Sequence, residues 1–451
     1  MALLIQRADY LLRDVHRIER DVDLLLEGNL IAAVGRDLPV PPGAETIDAQ
    51  GCAVIPGLIN GHTHLYQNFL KGTGVGLQLV DWCEAILFPM VDVILQEQLA
   101  GHGRSGYLWS ALGALEVVRA GTTCCQNLDT AAYLTLSSVL DAWRDIGLRG
   151  VGAITLANRW VPPHLLLDEE IIRQSTQRLI EQEHEPGGRV QIALGPSAPF
   201  LCDEGLLRWA RDTAQAHDLG LHIHVSETSG EVENALREWG KRPVEYLESL
   251  GLLGERLSAV HCVHVNQAEI DLLAHHGATV VHCPKSNMKL ADGAMDWPAL
   301  KAAGVEVALA NDGCASNDLL DMWEEMRAAA MLAAVTAGDP VAITPADVFR
   351  AATEGGARAC RVDAGTLDPG RLADVTIVDL SGVHLRPVHD ILQTLVYCTR
   401  ASDVRDTIID GQVVMRRRQI VTVDEAALVE EADAVGQELF DRAQRSTVER
   451  E

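Results

Sequence analysis

Basic residues are scarce in this chain. Thirty-seven lysines and arginines stand against 64 aspartates and glutamates in 451 residues, a formal charge of −27. Such a surface repels polyphosphates and anionic bilayers, so no nucleic acid and no membrane partner is expected. Long apolar runs are missing as well. None reaches the about 18 residues that a spanning helix needs. The first ten residues lack the basic, apolar and small-residue succession of a secretory signal. The ten cysteines contain no CxxC and, Cys124-Cys125 apart, are scattered singly. A disulfide framework is therefore not expected, and a cytoplasmic protein with reduced thiols is. Low-complexity segments and short-period repeats are also absent.

What is present is material for a core. Hydrophobic residues are 47% and charged residues 22%, enough for a large packed interior. The length suits a barrel of about 250 residues or more with an accessory domain. Residues 1–55 read as short strands and turns, with a hairpin in which Val22–Leu26 and Leu30–Gly35 flank Glu27-Gly28-Asn29. Residues 366–422 repeat the pattern, with a strand over 373–380 and a second hairpin around Asp410-Gly411. Together the two ends predict one small β-sandwich domain. A C-terminal helix is expected within 423–451, where Ala, Leu and Glu dominate.

Between these ends, residues 56–365 alternate apolar strands with amphipathic helices. Strands are expected at 54–64, 121–128, 149–157, 189–197, 219–227, 257–265, 278–287 and 305–313. Helical patterns such as Ser105–Arg119, Glu170–Glu183 and Glu204–His217 separate most of them. The alternation predicts an α/β chain built on a (β/α)8 TIM barrel, whose active site lies at the C-terminal ends of the strands.

Polar residues gather at those ends. The first strand closes on His62-Thr63-His64, two imidazoles on one side of a strand. The fifth reads Leu221-His222-Ile223-His224-Val225-Ser226-Glu227, the sixth Ala259-Val260-His261, and the eighth ends Ala310-Asn311-Asp312-Gly313. A lone strand histidine is usually a core or surface residue, and Asp-Gly alone is usually a turn. Here several such residues fall at the exits of four strands that a barrel brings together. Imidazoles with one carboxylate suit a single divalent ion, zinc first and iron as the alternative. A second ion would need a bridging ligand, and the fourth strand, ending Leu194-Gly195-Pro196-Ser197, offers no lysine for it.

These stretches resemble the amidohydrolase superfamily, in particular its metal-dependent deaminase and chlorohydrolase group. The resemblance rests on Pro56–His64, Leu221–Thr228, Ala259–His264, His282-Cys283-Pro284-Lys285-Ser286-Asn287-Met288-Lys289-Leu290, Asn311–Asp318 and Gly370–Asp374. Lys241–Leu247 and Leu320–Arg327 are similar to the methylthioadenosine and S-adenosylhomocysteine deaminases. Asp81–Pro89 is similar to triazine hydrolases, and Asp312–Asp318 to 8-oxoguanine deaminases. Ser197 stands where the methylthioadenosine group usually carries histidine.

The resemblance implies His62, His64, His224 and Asp312 as metal ligands, with Glu227, His261 and Asp312 in catalysis. The implied reaction is hydrolytic removal of an exocyclic amine from an electron-poor N-heterocycle, such as a purine or adenosine derivative. A triazine chlorohydrolase or an 8-oxoguanine or pterin deaminase would use the same groups. Gln67, Trp82, Ser197 and Ser316 are expected to contact the substrate, Trp82 as an aromatic wall for a flat ring. Homo-oligomerisation is expected by analogy. The separate HxE…PCxxC signature of zinc nucleobase deaminases does not occur.

Overall fold

The computed structural model describes residues 2–101, 104–130 and 132–448. Eight parallel strands form a barrel: β1 Leu58–His64, β2 Thr122–Leu128, β3 Arg149–Leu156, β4 Val190–Pro196, β5 Gly220–Val225, β6 Leu257–His261, β7 Thr279–His282 and β8 Glu306–Leu309. Each is hydrogen-bonded to its neighbour in chain order. After a break at Ala310-Asn311 the chain resumes as Asp312–Gly313, which pairs in parallel with Thr63 and His64 and closes the sheet on β1. The closure thus falls on residues of the expected site. Helices cover the outside and side chains fill the inside, so the strands are apolar on both faces. Every residue of β2 and β6 is buried.

Four expected strands differ; 257–265 stops at His261, and 305–313 breaks at Ala310-Asn311. The run 54–64 is two strands, because Cys52–Pro56 joins a terminal sheet and β1 begins at Leu58. Gly57 is the joint: a Cβ there would lie 2.1 Å from Thr123 Oγ1. Both halves are buried, so the apolar run carries no mark of the change. The run 278–287 ends at His282, and Pro284 opens a short helix, Pro284–Lys289, a position proline favours.

The chain ends build two sheets, the two layers of the expected sandwich. A four-stranded sheet is ordered Leu30–Gly35, Val22–Glu27, Ala2–Ala8, Glu45–Asp48. A seven-stranded sheet combines Tyr10–Leu12, Ile18–Glu19 and Cys52–Pro56 with Val375–Asp379, Val404–Ile409, Gln412–Arg416 and Gln419–Ile420. Their facing sides share one apolar core that includes Ile5, Leu24, Val54, Ile377 and Ile408. Under the barrel, buried Arg149 at the start of β3 ties to Asp374 (2.6 Å) and Asp410 (2.7 Å). The helix Glu425–Val448 returns to the barrel and packs on Arg104–Arg119 and Phe88–Leu99. Among the described residues no helix is long and apolar enough to cross a membrane.

Candidate metal centre and active site

The strand ends bring four nitrogen and oxygen donors together around His62. Its Nε2 lies 3.1 Å from His64 Nε2, 3.2 Å from His224 Nε2 and 3.3 Å from Asp312 Oδ1. Asp312 Oδ1 lies 3.4 Å from His64 Nε2. Donors bonded at about 2.0–2.1 Å to one tetrahedral ion stand roughly 3.3 Å apart, so these separations fit a single small cation. Donor atoms of His62, His64 and Asp312 form one group within 4.8 Å, and those of His62, His224 and His261 another.

Hydrogen bonds at the far nitrogens decide which atom of each ring is free. His64 Nδ1 donates to the Leu128 carbonyl at 2.6 Å, and His224 Nδ1 to the Ser197 carbonyl at 2.5 Å. A carbonyl only accepts, so both rings carry Nδ1–H and turn an Nε2 lone pair inward. His62 Nδ1 meets His222 Nε2 at 2.6 Å. Burial, then the neighbouring imidazoles, pushes His224 down to about 3, so the ring is neutral as a ligand must be. For Asp312, burial alone would raise the carboxyl, but His62, His64 and His261 outweigh it and hold it well below the usual range. Asp312 Oδ2 accepts from Ser286 Oγ at 2.5 Å and Ser316 Oγ at 3.1 Å.

The backbone is bent to deliver these groups. Ser226 (φ +52°), His261 (φ +72°), Cys262 (φ +49°) and Asp312 (φ +63°) are left-handed, a conformation that costs non-glycine residues about 1–3 kcal/mol each. Ser226 and Glu227 are steadied by Glu231, whose carboxylate accepts both backbone N–H groups at 3.1 and 2.8 Å. Glu227 Oε1 then sits 3.6 Å from His261 Nε2. Burial first, and the carboxylates of Asp292, Asp312 and Glu231 after it, raise Glu227 well above the usual range.

The four expected substrate contacts lie as follows. Trp82 is buried against the loop before it, since a Cβ on Gly74 would come within 2.6 Å of its ring. Gln67 is buried, and its Oε1 accepts from Ala315 N at 3.2 Å, linking the loop after β1 to the loop after β8. Ser197 contributes its carbonyl to His224, and Ser316 its hydroxyl to Asp312. Several neighbours of the site were not singled out from sequence. His222 supports His62, and period-two alternation with His224 was a signal for it. Asp292 and Glu231 carry no such signal, because each acts from a turn or first helical turn. Cys83, next to Trp82, is half-buried, and burial and then the charge of Glu227 push its thiol up to about 12.

A closed parallel barrel with imidazoles and a carboxylate converging at its C-terminal mouth is the build of a metal-dependent hydrolase. Residues 53–414 match the amidohydrolase family, and the chain belongs to that family. The chain is 38% identical to a 5-methylthioadenosine/S-adenosylhomocysteine deaminase of Halobacterium salinarum, with 94% of this chain and 95% of the relative covered. It superposes on an adenosine deaminase from Xanthomonas campestris with bound zinc at a TM-score of 0.89, with 31% identity and 98% of each chain covered. An atrazine chlorohydrolase from Arthrobacter aurescens, complexed with zinc, matches at a TM-score of 0.90 and 25% identity, covering 96% of this chain and 100% of that one.

Proposed function

We propose that the chain is a hydrolytic deaminase of aminated N-heterocycles of the purine or adenosine-type nucleoside class, with zinc in preference to iron. The observation that carries this reading is a pair of unlike buried groups at one mouth. The Glu227 carboxyl, raised by burial and by neighbouring carboxylates, lies 3.6 Å from His261, and the donor nitrogen of His261 groups with those of His62 and His224. The zinc-bearing structures it resembles support the choice of ion.

His62, His64, His224 and Asp312 would hold the ion, which when bound makes water nucleophilic near neutral pH. Glu227 gives its proton to the ring nitrogen beside the carbon under attack, so negative charge does not accumulate in the ring. His261 turns Nε2 toward the oxygen added at that carbon. Asp312, with Oδ2 steadied by two serine hydroxyls, takes a proton from the attacking water and passes it to the exocyclic amine. Ammonia leaves, the added hydroxyl returns its remaining proton to Glu227, and a ring carbonyl remains.

The test is ammonia release by purified, metal-counted protein from adenosine derivatives, guanine and its oxidised forms, pterins and triazines. Glu227→Gln should retain the metal and lose turnover by about a hundred- to ten-thousandfold. A metal-loaded protein that frees ammonia from none of these compounds overturns the reading. Chloride displacement from a triazine would use the same groups, and the likeness to the atrazine chlorohydrolase makes chloride release the parallel measurement. Light scattering on the same preparation checks self-association.

A further inference from the structure

The cluster presents more imidazoles than a four-ligand site needs. His261 is within reach of the same centre: its donor nitrogen falls within 4.8 Å of those of His62 and His224. Its ring is stacked on that of His224 with centroids 5.4 Å apart. What separates it from His64 and His224 is the partner of its other nitrogen. His64 and His224 face carbonyl oxygens, whereas His261 Nδ1 faces an amide nitrogen, Asn287 Nδ2, at 3.1 Å.

The orientation of that amide is set by a third group. Asn287 Nδ2 also lies 3.4 Å from Asp292 Oδ2. Turning the amide over would bring its oxygen against the carboxylate. Asp292 is itself fixed, because its backbone N–H donates to the Asn287 carbonyl at 2.9 Å and its own carbonyl accepts from His264 Nε2 at 2.6 Å. Asn287 and His261 are both buried, so water does not compete for the contact.

We propose that Asn287 is a positioning residue that sets the tautomer of His261. By donating to Nδ1, it places the ring proton on Nε2. His261 then points N–H, not a lone pair, at Glu227 and the cluster. That excludes it from the ligand set and leaves it a hydrogen-bond donor to the oxygen added at the substrate carbon. Asp292 holds the amide in the donating orientation. The kinetic consequence rests on the deaminase reading above; the tautomer does not.

The tests are chosen to keep the two apart. In zinc-loaded protein with 15N-labelled histidine, the His261 ring resonances, assigned by comparison with His261→Gln, should show the proton on Nε2. Asn287→Asp replaces a donor by an acceptor of the same shape. It should move the proton to Nδ1 and lower kcat at least about a hundredfold, with KM changed less than about threefold. Zinc affinity, measured by chelator competition, should stay equal or rise, because a fourth imidazole lone pair now faces the ion. In a His261→Gln background the same substitution should cost no further activity. Asn287→Ser serves if the aspartate variant misfolds; by releasing the amide donor it should populate both tautomers. An Nδ1 proton in the unsubstituted protein overturns the proposal whatever the enzyme's substrate. So does an Asn287→Asp kcat within threefold of the parent, or a loss that simply adds to that of His261→Gln.

Discussion

Asp312 shows how much of the centre depends on side chains that stand behind the donor atoms. One carboxylate oxygen faces the imidazoles, while the other accepts from Ser286 and Ser316. Outer partners of this kind commonly contribute tenfold to a hundredfold in metal affinity or activity. Ser286→Ala should therefore lower zinc affinity or turnover by about that factor, read by chelator competition and by kinetics at saturating zinc. At this scale the sequence was informative where chemistry is written into spacing. His62, His64, His224, His261 and Asp312 stand at the ends of apolar runs, and the structure gathers them. It was silent where a common residue acts through orientation. A serine in a loop looks the same whether its hydroxyl meets solvent, a purine or Asp312, and the hydroxyl of Ser316, expected at the substrate, meets the aspartate.

Among the elements, the strands of the barrel were legible because strand and helix alternate, but their ends were not. Residues 52–64 are one unbroken apolar stretch, and the division at Gly57 is imposed by Val375–Asp379 pairing with Cys52–Pro56. Nothing local encodes a partner more than 300 residues away. Arg149 is a second long-range joint, holding the base of β3 to Asp374 and Asp410 with only 1% of its side chain exposed. Removing the cation leaves two carboxylates facing each other, one of them buried. Arg149→Leu should destabilise the fold by about 3–5 kcal/mol, seen as a lower urea midpoint, while the Km of any protein that survives folding changes little because the joint lies at the opposite end of the barrel from the site.

For the molecule as a whole, buried acids set the pH response. Burial pushes Asp129 and Glu231 up to about 7 and Glu325 up to about 8. Each has a folded pKa above its unfolded one, so the stability it contributes is complete below the ordinary carboxylate range and is lost as pH rises through about 7 to 8. Buried His224 and His282, held at about 3, and His261, at about 4, act the other way, but only below their ordinary value of 6.5. Above pH 6.5 the acids act without that opposition. The unfolding free energy of the zinc-free protein should fall between pH 6.5 and about 8.5. Glu325→Gln should flatten the decline, and equal slopes in parent and variant would count against this account. None of these burials is visible in composition, since an acid in a strongly acidic chain is by default on the surface.

The seven-stranded sheet also has a consequence in time. Its early strands leave the ribosome long before Val375–Ile420 exists to cover them. At synthesis rates of about 5–20 residues per second, the nascent sandwich waits some tens of seconds with a bare edge. A circular permutant that makes both halves of this sheet consecutively would remove that delay, and should yield more native protein in cells short of chaperones.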